Sequence, residues 1–315
     1  MKNLTATGIN NLNTALIILS ALVAWLLPFE LFLFSYAVLG PLHYFTEISW
    51  LHDRKYYLPT LWHSAPLYGL TAIRLMANTL KLPPLGLTFL ALGFAALATQ
   101  MTSGKKLLMG CVLLILFSQW SVQFSFFNIL FAALLPTLIH VCLFTFCFML
   151  LGSMKSNSIS GYISLLVYCV CAVAVLILPE QNHYIVKKEH FNAAEYFVGI
   201  ANYMTQLLHR GFTTDTLTSA FRFIAFSYTY HYLNWFSKTN LINWHKMSKK
   251  RGIVIAVLWI SSLGLYAVDY KMGLTALLLF STAHVFLEFP LNMKSFKEIS
   301  TGLSRLARKT RASKA

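Results

Sequence analysis

Blocks of about 20 consecutive, mostly apolar residues recur along this chain, with few charges inside them. That feature limits the fold more than any other. A run of that length crosses the hydrocarbon core of a bilayer as a helix. In lipid every backbone N–H and C=O must find its partner within the protein, so helices and closed barrels are the only spanning structures. A barrel alternates apolar and polar residues over segments of about 10, and the unbroken blocks here exclude it. Charged residues are only 11% of the 315, against about 25% in a soluble domain. A soluble enzyme, a disordered chain and a secreted disulfide scaffold are thereby excluded. The expectation is an all-α integral membrane protein, a polytopic helical bundle.

Spans are expected at 12–27, 30–51, 58–78, 84–101, 106–124, 127–151, 160–179, 217–236, 252–270 and 272–292, about ten transmembrane helices. Pro28 and Glu30 separate the first two, Pro83-Pro84 opens the fourth, and Asp269-Tyr270-Lys271 turns between the last two. The third is the least regular, since it holds His63, Arg74 and nearby prolines. No small-x-small cleavage site follows the first block, so it reads as an uncleaved span. The five cysteines lie in apolar runs with no CxxC pair and read as small hydrophobes.

Lysine and arginine set the orientation. With the N-terminus inside, eighteen fall in cytoplasmic segments and five outside; Arg74 and Arg222 lie within spans. Both termini are therefore expected in the cytoplasm, in a multi-pass protein of a bacterial inner membrane. The net charge of +15 then faces the anionic inner leaflet. Because the basic residues punctuate apolar runs instead of lining one aqueous face, no nucleic-acid partner is expected. Residues 1–292 read as a single transmembrane domain and 293–315 as a basic cytoplasmic tail that anchors to membrane lipid. About 180–216 reads as an extramembrane stretch outside, where Phe191, Ala194, Tyr196, Phe197, Ile200, Met204 and Leu207 suggest an interfacial amphipathic helix, a connector or a lid.

Ionisable groups inside a membrane are costly, and each is a functional hypothesis. Four of the ten histidines sit well inside spans: His43, His140, His231 and His284. Each is the 13th to 15th residue of a span running inward. At 1.5 Å of rise per residue their depths agree within one or two turns. Glu47 follows His43 by four, and Glu288 follows His284 by four, a spacing that shares a helix face. Ser227, Tyr228, Asn234 and Trp235 lie on the face of His231. Neutral imidazoles with carboxylates suit Fe(II), and also Zn, Cu or Mn. The expected metal ligands are His43, His140, His231 and His284, with Glu47, Glu288 and Tyr228 as catalytic or proton-handling groups and His63 as a candidate fifth participant. Interhelical hydrogen bonding within a bundle is the plainer use of such histidines. No HxxHH or HxxxH box, no HExxH, no phosphate loop and no GxSxG elbow is present.

The segment Gly40-Pro41-Leu42-His43-Tyr44-Phe45-Thr46-Glu47 resembles the signature of the Brp/Blh-type β-carotene dioxygenases. There a Gly-x-Pro-His stretch in an early span precedes an acidic residue four positions on. Here the proline stands two residues before the histidine, with Tyr44 and Glu47 in place of Gly and Asp. The resemblance implies a non-haem Fe(II) held by four histidines, which splits a carotenoid with dioxygen to give retinal. Only His43 carries that motif; a diverged relative acting on another lipid-soluble substrate fits as well. The functional expectation is a metal-dependent membrane oxygenase or oxidase for a hydrophobic small molecule. A metal-ion or proton-coupled transporter using the same residues is the alternative from a different class.

Overall fold

The structure, a computed structural model, describes residues 5–77, 79–101, 103–121, 123–178, 187–207, 214–238 and 247–312. Among them the regular elements are helices, and no strand occurs. Helix α1 (Ala6–Leu26) begins at Thr5, whose hydroxyl accepts from the Gly8 N–H at 3.1 Å. Pro28 opens α2 (Pro28–Phe34); a first turn has no use for the N–H that proline lacks. A π-helical turn, Ser35–Leu39, leads into α3 (Gly40–His52). The expected span 30–51 is thus built in three pieces.

The expected third span differs from what is found. Two 3-10 turns, Lys55–Tyr57 and Leu61–Ser64, precede a short α4 (Ala65–Leu75). Pro59 accounts for the first break, because proline disfavours helix at the residue before it and Leu58 is extended; Pro66 sits in the first turn of α4, where its missing N–H costs nothing. Helices α5 (Pro84–Gln100), α6 (Gly104–Ser121) and the single turn α7 (Ser125–Phe127) follow. A π-helical stretch over Asn128–Phe144, with Pro136 inside, continues into α8 (Thr145–Ser156). Asn157 then takes the left-handed conformation, and Ser158 caps α9 (Ile159–Ile177).

Beyond residue 187 come α10 (Lys188–Ala193), α11 (Glu195–Leu207), α12 (Thr214–Ser237), α13 (Lys249–Val268) and α14 (Tyr270–Ala312). The Asp269 carboxylate accepts from Met272 N–H at 2.6 Å, which makes the sharp entry into α14. The last helix runs through Pro290 and past residue 292, with Ser295 and Ile299 buried and Glu298 paired to Lys155 at 2.5 Å. In the 180–216 stretch, Phe197, Ile200 and Met204 of α11 are buried, and α11 packs on α12. Residues 179–186 and 208–213, and the side chains of Phe191, Tyr196 and Leu207, lie outside what the structure describes.

Five stretches are long and apolar enough to cross a membrane: Ala6–Leu26, Leu134–Ser156, Ile159–Ile177, Lys249–Val268 and Tyr270–Arg305. The pair Gly104–Ser121 and Ser125–Phe131, bent by 119°, makes a sixth if its two pieces form one span. The chain is an all-α membrane protein, with fewer such stretches among the described residues than the ten expected. Helix α12 shows why length and apolarity undercount. It is rich in Ser, Thr and Tyr, yet Phe221, Arg222, Phe226 and Tyr230 are fully buried. Helices α1, α2, α9 and α11 surround it, so protein, not lipid, is its solvent.

Two apolar clusters form the core. One gathers Phe29, Phe32, Phe197, Phe221 and Tyr230 around α12; the other gathers Trp50, Leu51, Ala91, Phe144 and Phe286. Along α3 the first cluster holds Tyr44 and Phe45, and the second holds Trp50 and Leu51. Along α14 the change falls between Leu277 and Ala283. The boundary between the clusters is thus next to the histidines.

Candidate metal centre

Four elements deliver the polar groups at that boundary. Helix α3 brings His43 and Glu47, the π stretch brings His140, α12 brings His231, and α14 brings His284 and Glu288. None of the six is more than 6% exposed. Ring centroids stand 4.7 Å apart for His43–His231, 5.2 Å for His231–His140, 5.4 Å for His140–His284 and 5.5 Å for His284–His43. The four rings close a circuit.

Shorter contacts lie within it. His43 Nε2 is 3.1 Å from His231 Nε2 and 3.0 Å from Glu47 Oε2. Glu288 reaches across to another helix, with Oε2 3.3 Å from His140 Nε2. One donor atom each from His43, Glu47 and His284 lies within 4.8 Å of the others. Two imidazoles and one carboxylate are the donor types of a facial triad that leaves open positions on non-haem iron.

Unpaired atoms test whether the residues fit a metal. Glu47 Oε2, Glu288 Oε2 and both ring nitrogens of His140 are buried without a hydrogen bond of good geometry. Each such atom costs about 1–3 kcal/mol when left unmet, and a buried charge lacking a counter-charge costs more. A cation held among them would meet several at once. The donor set fits a first-row transition metal.

Neighbouring side chains hold the rings in place. Thr145 Oγ1 is 2.8 Å from His231 Nδ1, so the hydroxyl fixes that ring and leaves Nε2 turned to the centre. Trp235 donates its indole N–H to Thr46 Oγ1 at 3.0 Å and meets the His43 ring edge-on at 5.6 Å. Tyr232 packs on His43 and His231 at 5.0 and 5.5 Å. A side chain at Gly40 would press within 3.2 Å of the Tyr232 hydroxyl, so glycine there lets the tyrosine come close. Tyr44 stacks on His284 at 5.8 Å.

Two cavities flank the cluster. A small one, about 60 Å³, touches His140, His284, Tyr36, Tyr228, Tyr232 and Phe197. A larger one, about 390 Å³, touches His43, His231, Glu47 and Glu288 and extends toward Arg54, Lys155 and Lys238. Each cavity meets a different pair of histidines.

Other expected residues lie elsewhere. His63 is in a surface 3-10 turn, its Nδ1 2.8 Å from the Thr60 hydroxyl, and does not join the cluster. Tyr228 lies on the small cavity, its ring 5.6 Å from Phe32 and 6.1 Å from Tyr232. Arg74 donates to Thr88 Oγ1 at 2.8 Å and Arg222 to Leu178 O at 3.0 Å, pairing within the bundle. Sequence reasoning did not single out Thr145, Tyr232 or Tyr44. Two of them adjoin a cluster histidine, and a hydroxyl five places after His140 is the only signal for the third.

Comparison with protein-family models, with curated proteins and with solved structures returns no match to this chain.

Proposed function

We propose that this chain is a metal-dependent membrane enzyme, an oxygenase or oxidase acting on a lipid-soluble unsaturated substrate such as a carotenoid or related polyene. The observation that carries this reading is the meeting of four imidazoles and two carboxylates from separate elements between two cavities of unequal size. The small cavity has room for a diatomic gas or a water or two. The large one falls in the size range of small organic ligand pockets. A reaction joining dioxygen to an alkene needs both.

His43, His140, His231 and His284 would hold the metal, with Glu47 as a further donor or a proton acceptor beside it. Bound iron(II) would supply the one-electron chemistry by which dioxygen reacts with a closed-shell carbon–carbon double bond. In the cleaving form of the reaction, both oxygen atoms of one dioxygen end in two carbonyl products as that bond breaks, and no reductant is consumed. The protein's own part is to orient and to exclude water. Thr145 sets the His231 ring, Tyr232 and Trp235 wall the His43 ring with aromatic faces, and Glu288 can hold a proton beside His140. The basic end of the bundle would face the cytoplasm, as the distribution of lysine and arginine requires. The likeness of Gly40–Glu47 to the carotenoid-cleaving family points the same way.

A path for an ion or proton has the same two-sided placement, so a transporter is the second reading. Elemental analysis of detergent-purified protein, with His43→Ala, His140→Ala, His231→Ala and His284→Ala variants, tests both. The enzyme reading expects bound iron in the parent, its loss in the variants, and label from isotopic dioxygen in carbonyl products. Protein that holds no metal and is unaltered by these substitutions would sink it. Metal uptake into sealed vesicles without any product would select the transporter.

A further inference from the structure

The larger cavity has a polarity from end to end that a purely hydrocarbon substrate does not require. His43 and Trp50 on α3 and Arg54 just past its end touch it in that order. Thr145, Phe148 and Lys155 repeat the order along α8, as do His231 and Trp235 of α12 with Lys238, the residue after its end. Three helices therefore each present a polar group at the centre, an aromatic ring midway and a cation at the mouth. Carboxylates Glu47 and Glu288 sit only at the inner end.

The cations differ in how far they are already engaged. Lys155 pairs with Glu298 at 2.5 Å. Arg54 lies 3.9 Å over the Trp50 ring and donates to the Trp50 carbonyl at 3.3 Å. Lys238 has no carboxylate partner among the described residues. A negative head group entering this cavity is drawn to the cations at the mouth, while an apolar tail runs along the wall formed by Phe148 and the edge-on pair Trp50 and Trp235.

We propose that the ligand of this cavity is an anionic amphiphile, with a carboxylate or phosphate head held by Arg54 and Lys238 and an unsaturated apolar chain reaching inward to His43 and Glu47. This names the substrate class for the function proposed above and rests on that reading only for the chemistry, not for the binding. The protein's end of the site that takes the head is the basic end of the bundle.

The test is binding, read by energy transfer from tryptophan to cis-parinaric acid and to its methyl ester. Protein in neutral phosphatidylcholine nanodiscs is compared with empty nanodiscs to remove lipid partitioning. The acid should bind about tenfold or more tightly than the ester, as a charge-assisted contact requires. The R54Q/K238Q double variant should lose that preference while still binding the ester, which also reports an intact fold. A K249Q/K250Q variant, altered at exposed lysines away from the cavity, should keep it. Dodecanoate and dodecyl phosphate should displace the probe, and their ranking assigns the head. Equal affinity for acid and ester, a preference that survives R54Q/K238Q, or displacement by dodecanol as effective as by either anion overturns the proposal. Metal content of the same samples separates the two readings. Metal-free protein with the preference keeps the amphiphile site and sinks the enzyme; metal-loaded protein without it does the reverse.

Discussion

His231 and His43, 188 positions apart in sequence, meet Nε2 to Nε2 at 3.1 Å. Two imidazole nitrogens that close must share a proton or a cation, because two lone pairs facing each other repel. If a cation fills that place, His43→Ala or His231→Ala removes a direct ligand. The expected loss in metal affinity then exceeds the roughly 10–100-fold typical of an outer partner. Metal retained after dialysis against a graded series of chelators measures this, and retention equal to the parent would refute it.

Thr145 acts on His231 from behind. Thr145→Val keeps the shape and removes the hydroxyl 2.8 Å from Nδ1. Metal affinity should fall about 10–100-fold, and Thr145→Ser should restore most of it. A serine variant as weak as the valine one would mean that the methyl group, not the hydrogen bond, matters.

The hairpin of α13 and α14 is close at Gly273, where an added Cβ would stand 2.7 Å from the Tyr266 ring and 3.0 Å from its Cα. Backbone cannot yield as a side-chain tip can. Gly273→Ala should cost about 1–3 kcal/mol, seen as a lower Tm in detergent. Gly264→Ala, with nothing within 4 Å, should be neutral or slightly stabilising.

Just past the end of α3, on the exposed surface, Asp53 accepts from Arg251 at 2.6 Å, which holds that carboxyl below its ordinary pKa. The contribution to stability is therefore present above the ordinary carboxylate value and is lost as pH falls through the lowered one. Both side chains are well exposed, 50% for Asp53 and 37% for Arg251, so the pair is worth about 0–1 kcal/mol. Asp53→Asn should barely change Tm at neutral pH and should flatten the decline on the acid side. High salt should do the same to the parent. A large drop at neutral pH would show that Asp53 does more than this.

Depth was legible in the sequence, and rotation about the helix axis was not. Counting residues from span starts sufficed to bring His43, His140, His231 and His284 to one level, because rise per residue is nearly constant. Facing is more fragile. In an ordinary helix His140 and Thr145 are about 140° apart, yet both contact the His231 ring. The wider i→i+5 turn that runs from Asn128 to Phe144 brings residues five apart to one side. Likewise the spacing of His284 and Glu288 suggested a pair, whereas Glu288 is set against His140 of another element. Spans were read from apolarity, which works for α1, α9 and α13. It fails at 58–78, where the helix found is short, and although it places a helix over 217–236, where α12 runs, it does not foresee that neighbouring helices shield that helix's polar residues.

The seam between the two apolar clusters has a mechanical consequence. Helices α3 and α14 run through both clusters, and the imidazoles and carboxylates form the joint where the clusters meet. An occupant bound there ties four elements together at that joint, so its free energy of binding is added to the cohesion of the whole molecule. Stripping it should loosen α3 from α12 at the joint before the rest of the bundle melts.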